Sequence, residues 1–212
     1  MRTVVVTAGP TREKIDPVRF ISNYSTGRFG YEIARQARSM GCRVILISGP
    51  TGLKPPSGVK VINVESAAEM KKAAEKASAG AGYIIMAAAV SDWRLRSPSA
   101  GKIKRGSGRI RLELVENPDI VAGLRKKLGK GTCIVGFALE TGSVEKNAAE
   151  KLARKGLDIV VANGIGARSS PFGDNNTNIL IMDRLGKRTE VRGRTKRQAA
   201  KIILDKAFDF NI

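Results

Sequence analysis

The sequence predicts an α/β chain built on a doubly wound, mostly parallel sheet, and three observations carry that expectation. Short β-branched runs alternate with stretches of helical spacing up to about residue 90 and again after about residue 119. The strand runs are apolar at nearly every position, as strands covered on both faces are, instead of alternating apolar with polar. Glycine, proline and small polar residues follow them, where a parallel strand empties into a loop. The length of 212 residues suits a single domain over residues 1–212, Rossmann-like in its first half.

Thr3 to Thr7 reads as the first strand, ending at Ala8-Gly9-Pro10. After an irregular stretch, Ile33, Ala34, Ala37 and Met40 give helical spacing from Gly30 to Met40, with Gly41 placed to terminate it. Arg43 to Ser48 and Val59 to Val64 are the second and third strands, and Ser66 caps a helix running to about Ser78. Tyr83 to Val90 is the fourth strand. Residues 97–109 then carry Gly, Ser and Pro together with Lys102, Lys104, Arg105 and Arg109, a mobile basic loop that is either a lid over an anionic ligand or a solvated connection. An alternating strand, Arg109 to Val115, follows. The helix and strand alternation resumes with Asp119 to Leu128, Cys133 to Phe137, Val144 to Lys155 and Asp158 to Ala162. Asn178 to Met182 and Thr189 to Arg192 form an added β-hairpin over about 178–192, and Thr195 to Phe208 a closing helix.

Composition narrows the chemistry. Thirty-eight Lys and Arg against 19 Asp and Glu give a formal net charge of +19, which suits anionic partners. The histidine count is 0, so serine or cysteine triads, HExxH zinc sites and imidazole bases are excluded. Lysine, arginine, carboxylates, amides and backbone N–H groups remain, a set suited to phosphate and carboxylate chemistry. The longest apolar run, Tyr83 to Val90, falls far short of the roughly 18 residues of a membrane span, and no secretory signal is visible. Cys42 and Cys133 form no metal pattern and read as buried free thiols, consistent with a soluble cytoplasmic chain.

Ligands of such sheets bind beyond the carboxyl ends of the strands, so the residues after each strand matter most. Ser25, Thr26 and Gly27 precede the first helix and offer hydroxyls and amide donors to an anion, although the same residues serve as ordinary caps. No GxGxxG follows the first strand and no GxxxxGK[ST] occurs, and the second strand ends in Ser48 where a dinucleotide fold places an acid. Asp92 follows the fourth strand, where a carboxylate could take ribose hydroxyls or a divalent cation, or cap a turn. Lys102 and Lys104 flank Ile103 and point the same way, and Lys151 and Lys155 share a helix face.

Several segments, in order along the chain, resemble phosphopantothenoylcysteine synthetase. They are Val6-Thr7-Ala8-Gly9-Pro10-Thr11-Arg12-Glu13, Ile15 to Asn23, Ser25-Thr26-Gly27, Ala87 to Trp93, Lys102-Ile103-Lys104, Glu116 to Ile120, Val135 to Thr141, Lys151-Leu152 with Lys155, and Phe172-Gly173 with Asn178. The resemblance implies a ligase of coenzyme A biosynthesis. It would activate the 4′-phosphopantothenate carboxylate with a nucleoside triphosphate, CTP in the bacterial branch, and then join the acyl-nucleotide to cysteine. It implies Lys102 as the clamp on triphosphate and carboxylate, and Asn23 as the residue that orients the acyl intermediate. Gly9, Ser25, Thr26 and Gly27 would serve the phosphates, Asp92 the ribose or a Mg²⁺ ion, Phe137 the base, and Lys151 and Lys155 the nucleotide. Ala88 and Ala89 would admit the pantothenate arm, and Arg19 would reach the substrate phosphate across a homodimer interface to which the hairpin contributes. No flavin is expected on this chain; a flavin-dependent decarboxylase would be a separate or fused partner. Ser91, Tyr24 and Arg28 depart from the family's usual Ala, His and Lys, which bears on fine specificity.

Two other classes stand against this reading. The charge suits a nucleic-acid binder, but only 5% of residues are aromatic and no helix-turn-helix, zinc, RRM or KH signature occurs. The sheet suits a dehydrogenase, which the absent glycine fingerprint and Ser48 oppose.

Overall fold

The computed structural model describes residues 1–106, 108–128, 131–164 and 176–210. Its elements in chain order are β1 (Thr3–Ala8), β2 (Arg12–Lys14), β3 (Phe20–Ser22), α1 (Arg28–Ser39), β4 (Arg43–Ser48), β5 (Lys60–Asn63), α2 (Ala67–Ala77), β6 (Tyr83–Met86), β7 (Trp93–Leu95), β8 (Leu114–Glu116), α3 (Ile120–Leu128), β9 (Cys133–Glu140), α4 (Val144–Lys155), β10 (Ile159–Gly164), β11 (Thr177–Asp183), β12 (Arg188–Arg194) and α5 (Lys196–Asp209).

The main sheet runs β12-β11-β10-β9-β6-β1-β4-β5. The six strands from β10 to β5 are parallel, and β11 and β12 add an antiparallel hairpin at one edge. This is the doubly wound order, in which the chain reverses direction between β1 and β6. Both faces are buried. Val4, Val6 and Ala8 face Ile33, Ala34 and Ala37 of α1 and Ile203 and Leu204 of α5, whereas Val5 faces the side covered by Met70 of α2, Leu124 of α3 and Leu152 of α4.

Local signals set the helix ends. Ser66 Oγ accepts the Glu69 amide at 3.2 Å, and Thr195 with Gln198 forms a reciprocal capping box on α5; each such cap contributes about 1 kcal/mol. Gly41 adopts φ +79° just past α1, a conformation that favours glycine. At the amino end of the parallel strands the Asp158 carboxylate accepts from the Ile134 amide at 2.8 Å, from Arg184 Nε at 3.0 Å and from Arg125. That single side chain thereby locks α3 and the hairpin turn to the sheet.

Two expectations need correction. The fourth strand stops at Met86 instead of Val90, because Ala89 leaves β6 to bridge Pro10. The segment 109–113 is not a strand; only Leu114–Glu116 pairs, antiparallel with Trp93–Leu95. The irregular stretch after β1 contains a second small ribbon, β2 with β3. Among the described residues, no helix is long and apolar enough to cross a membrane.

Candidate active site

The carboxyl ends of β1 and β6 are stapled together. Pro10 bridges Ala89, the Thr11 amide donates to Ala89 O (3.2 Å), and the Ala89 amide donates to Gly9 O (2.9 Å). Thr7 Oγ1 accepts from the Ala88 amide (3.2 Å) and Thr11 Oγ1 from the Ser91 amide (2.9 Å). Asn23 Nδ2 donates to the same Ala89 carbonyl at 2.9 Å, so Gly9, Asn23, Ala88 and Ala89 meet at the reversal point of the sheet.

Gly27 enters α1 at φ +78°, with no side-chain cap on the helix. A Cβ there would lie 2.7 Å from Thr51 Cγ2 and 3.2 Å from Gly9 Cα, so only glycine permits the two backbones to approach. The first-turn amides of α1 therefore open beside Gly9, with the positive end of the helix dipole behind them. Ser25 Oγ accepts the Gly27 amide at 3.3 Å, which shapes this turn.

Next to the staple, between the ends of β6 and β9 and the helices α3 and α4, lies a cavity of ≈ 470 Å³. Ala88, Asp92, Phe137, Lys151 and Lys155 all line it. Lys151 and Lys155 reach it from one face of α4. Burial, with the Lys155 charge, holds the Lys151 ammonium below the usual lysine range, against the opposing pull of Glu140 and Asp92. Phe137 lies edge-to-face on Phe29, with ring centroids 5.2 Å apart.

Sequence reasoning missed three lining residues. Asp119 Oδ1 accepts the Ala122 amide at 3.1 Å at the start of α3, and Oδ2 holds Lys155 Nζ at 3.2 Å. Burial raises the Asp119 carboxyl, but the Ala122 amide and Lys155 outweigh it and leave the group below its ordinary value. Arg154 adds a third cation to the wall. Asn117 donates from Nδ2 to Ser91 O at 2.9 Å and from its amide to Asp92 O at 2.7 Å, fixing the loop that presents Asp92. Asn117 and Asp119 both lie in the Glu116 to Ile120 segment of the family resemblance, a signal that could have found them; nothing local marked Arg154.

Lys102 and Arg19 stand outside the cavity wall. Lys102 and Lys104 are exposed on either side of the partly buried Ile103, whose carbonyl accepts from Arg19 Nη2 at 2.7 Å. Phe172 and Gly173 lie outside the described residues, as does Ser107 of the basic loop. Asn178 Oδ1 accepts the Gly193 amide at 2.8 Å within the hairpin. Ser91, which also lines the cavity, donates its hydroxyl to Trp93 O at 2.7 Å. Among the described residues no three His, Cys, Asp or Glu side chains cluster as a metal cage. A lone carboxylate such as Asp92 fits a Mg²⁺ that arrives on a nucleotide and completes its shell with phosphate and water oxygens.

The sequence model of the family described as DNA/pantothenate metabolism flavoprotein C-terminal domain matches residues 1–210. The chain is 44% identical over 206 residues to a cysteine/cysteine sulfinic acid decarboxylase from an unidentified prokaryote, covering 97% of this chain and 57% of that protein. It is 43% identical over 189 residues to the coenzyme A biosynthesis bifunctional protein CoaBC of Bacillus subtilis, covering 89% of this chain and 46% of that one. The chain thus spans about half the length of the curated relatives it matches. Among solved structures, the C-terminal domain of a coenzyme A biosynthesis bifunctional protein CoaBC superposes with a TM-score of 0.82 at 35% identity, covering 97% of this chain and 93% of that domain. With the match running from one end of the described fold to the other, the chain belongs to the DNA/pantothenate metabolism flavoprotein C-terminal domain family.

Proposed function

We propose that the chain is a phosphopantothenate–cysteine ligase that uses CTP carried with Mg²⁺. The observation that supports this most directly is the adjacency of two features. A cation-walled cavity of nucleotide size, holding Asp92, Phe137, Lys151 and Lys155, adjoins the crevice where Gly9, Asn23, Ala88 and Ala89 meet.

In the first step a pantothenate carboxylate oxygen bonds to the α-phosphorus and the bond to the bridging oxygen breaks, releasing pyrophosphate. In the second, cysteine's amine bonds to the acyl carbon, the acyl–phosphate C–O bond breaks, and the nucleoside monophosphate leaves as the amine sheds a proton. The difficulty is electrostatic: a phosphomonoester and a carboxylate approach a triphosphate. At about 4 Å and an effective dielectric of about 20, each like-charge pair costs about 4 kcal/mol. Lys151 and Lys155 offset this on the nucleotide, and Lys102 follows the charge that develops on the leaving pyrophosphate. Asn23 holds the acyl oxygen without adding charge, and Ser25, Thr26 and Gly27 cradle a phosphate at the α1 terminus. The ribose or its Mg²⁺ falls to Asp92, and the base to Phe137.

Arg19 serves the substrate phosphate from a partner subunit. Val18 and Phe20 beside it, Trp93 and Leu114 on the neighbouring ribbon, and Leu112 just before that ribbon's second strand are exposed apolar side chains of the kind a homodimer covers. The hairpin turn with its exposed Leu185 lies at the amino end of the parallel strands, away from Arg19, and forms no part of that surface. Buried free thiols at Cys42 and Cys133 suit the reducing cytoplasm.

The test is pyrophosphate release with Mg²⁺ and 4′-phosphopantothenate, comparing CTP with ATP and adding or omitting cysteine. Release that requires phosphopantothenate, favours CTP and rises with cysteine is expected. No release from folded protein, with salt-sensitive retention on duplex DNA, would replace the ligase by a nucleic-acid binder.

A further inference from the structure

Asp16 sits in the turn between β2 and β3 with its side chain wholly removed from solvent. Its Oδ1 accepts the amides of Val18 and Arg19, both at 2.8 Å. Its Oδ2 accepts Arg19 Nε at 3.0 Å and is also reached by Arg19 Nη2. The same Oδ2 accepts the amide of Ile103 at 3.1 Å, from 87 residues further along the chain. Arg19 Nη2 closes the ring by donating to the Ile103 carbonyl at 2.7 Å. Both backbone polar groups of Ile103 are thus held by one ion pair, its carboxylate buried and its guanidinium half exposed, and the Ser99 amide adds a tie to Ile15 O at 2.9 Å.

The side chains on either side of that anchor are Lys102 and Lys104, both exposed. The basic segment is therefore pinned at its centre to the turn that carries Arg19. A hydrogen bond to a buried carboxylate is among the stronger ones a backbone amide can make, and a carboxamide in its place offers one acceptor oxygen where the carboxylate offers two, so one of the two sets of donors faces an NH₂ group.

We propose that Asp16 is a positioning residue: its carboxylate latches the Lys102–Lys104 segment to the Arg19 turn and so sets how those two substrate-facing cations stand relative to one another. The inference rests on the ligase reading insofar as it takes Lys102 and Arg19 to face substrate; the latch itself does not. It adds an acidic residue that holds the site's backbone, beside Asp92 and Asp119, which line the cavity itself. Asp16 touches no reacting group and acts only through Ile103 and Arg19.

The experiment is a double-mutant cycle of Asp16→Asn with Lys102→Ala, read by pyrophosphate release, together with amide hydrogen exchange on the full chain. Asp16→Asn keeps the shape and removes the charge. It is expected to speed exchange of the Ile103 amide by about 10- to 100-fold while leaving Val5 and Ile134 in the central strands unchanged. Pyrophosphate release should fall about tenfold or more in the wild-type background and by at least about threefold less than that in the Lys102→Ala background, where only the share of the latch that acts through Arg19 survives. A merely structural Asp16 would speed exchange throughout the sheet and its effect would multiply with that of Lys102→Ala; either result overturns the proposal, as does an unchanged Ile103 amide. Should Asp16→Asn fail to fold, Ile103→Pro removes the same donor from the other side and must show the same non-additivity with Lys102→Ala. If the unmodified chain releases no pyrophosphate, the ligase reading fails while exchange at Ile103 still decides the latch.

Discussion

Lys151→Met separates a binding role for this lysine from a structural one, because the two predict opposite signs for stability. Lys151 lies one helical turn from Lys155 on the cavity face of α4, and burial and Lys155 both disfavour its charged form. Side chains at i and i+4 start about 6 Å apart; at that distance and an effective dielectric of about 20, two ammonium groups repel by about 3 kcal/mol. Glu140 and Asp92 counter part of this, so removing the charge should stabilise the fold by about 1 kcal/mol, or about 3 °C in Tm for a chain of this size. The folded-state pKa lies below the unfolded one, so the cost of Lys151 is fully present below the lowered pKa. The advantage of the Met variant should therefore shrink as pH rises through the lowered pKa toward the ordinary lysine value. Binding should move the other way. Loss of a charged hydrogen bond to phosphate, about 1.5–3 kcal/mol, weakens CTP about 10- to 100-fold by titration calorimetry. A Met variant that melts several degrees lower and binds CTP with wild-type affinity would refute the reasoning and make Lys151 a member of a structural charge network.

Lys102→Ala should leave Tm within about 1 °C, since the side chain is exposed, while cutting pyrophosphate release by two or more orders of magnitude; near-normal release would remove it from the first step. Asn23→Asp replaces the donor to Ala89 O with a carboxylate, and is expected to accumulate acyl-nucleotide that cysteine consumes slowly in single-turnover assays. Gly30→Ala would place a Cβ 2.5 Å from Ala8 Cβ and 3.0 Å from Thr7 O, where α1 crosses β1, and should cost about 1–3 kcal/mol in urea unfolding. Burial, aided by the Asp158 charge, pushes the Cys133 thiol up to about 12. Iodoacetamide at pH 8 should therefore leave it unmodified in the native chain and label it fully in urea.

The parallel strands and five helices were legible because buried strands and amphipathic helices write their periods into contiguous sequence. Ser66 and Gly41 could be read for the same reason, since a cap is set by its own few residues. The two ribbons could not. Strands of three residues such as Arg12–Lys14 and Leu114–Glu116 carry no usable period, and their pairing is decided by partners elsewhere in the chain. The site divides the same way. Lys151 and Lys155 could be grouped by spacing, and Lys102 by its basic loop together with the family resemblance. The Pro10–Ala89 bridge and the grip of Asp16 on Ile103 are contacts across 79 and 87 residues, which no local pattern encodes.

Among the described residues, the hairpin that ends the sheet leaves β12 as an open edge, and its sequence decides what that edge can do. Only Val191 of the strand is buried, while Arg188, Arg192 and Arg194 stand in solvent and a register shift interrupts the pairing between Thr177 and Ile179. A row of arginines on an exposed edge repels the approach of a second identical strand, and an irregular register denies it a straight template. Part of the large positive charge thus guards the chain against continuing its own sheet into an aggregate. It follows that two copies of this chain are expected to meet through side-chain faces, with the hydrogen-bonding rim of β12 left to water.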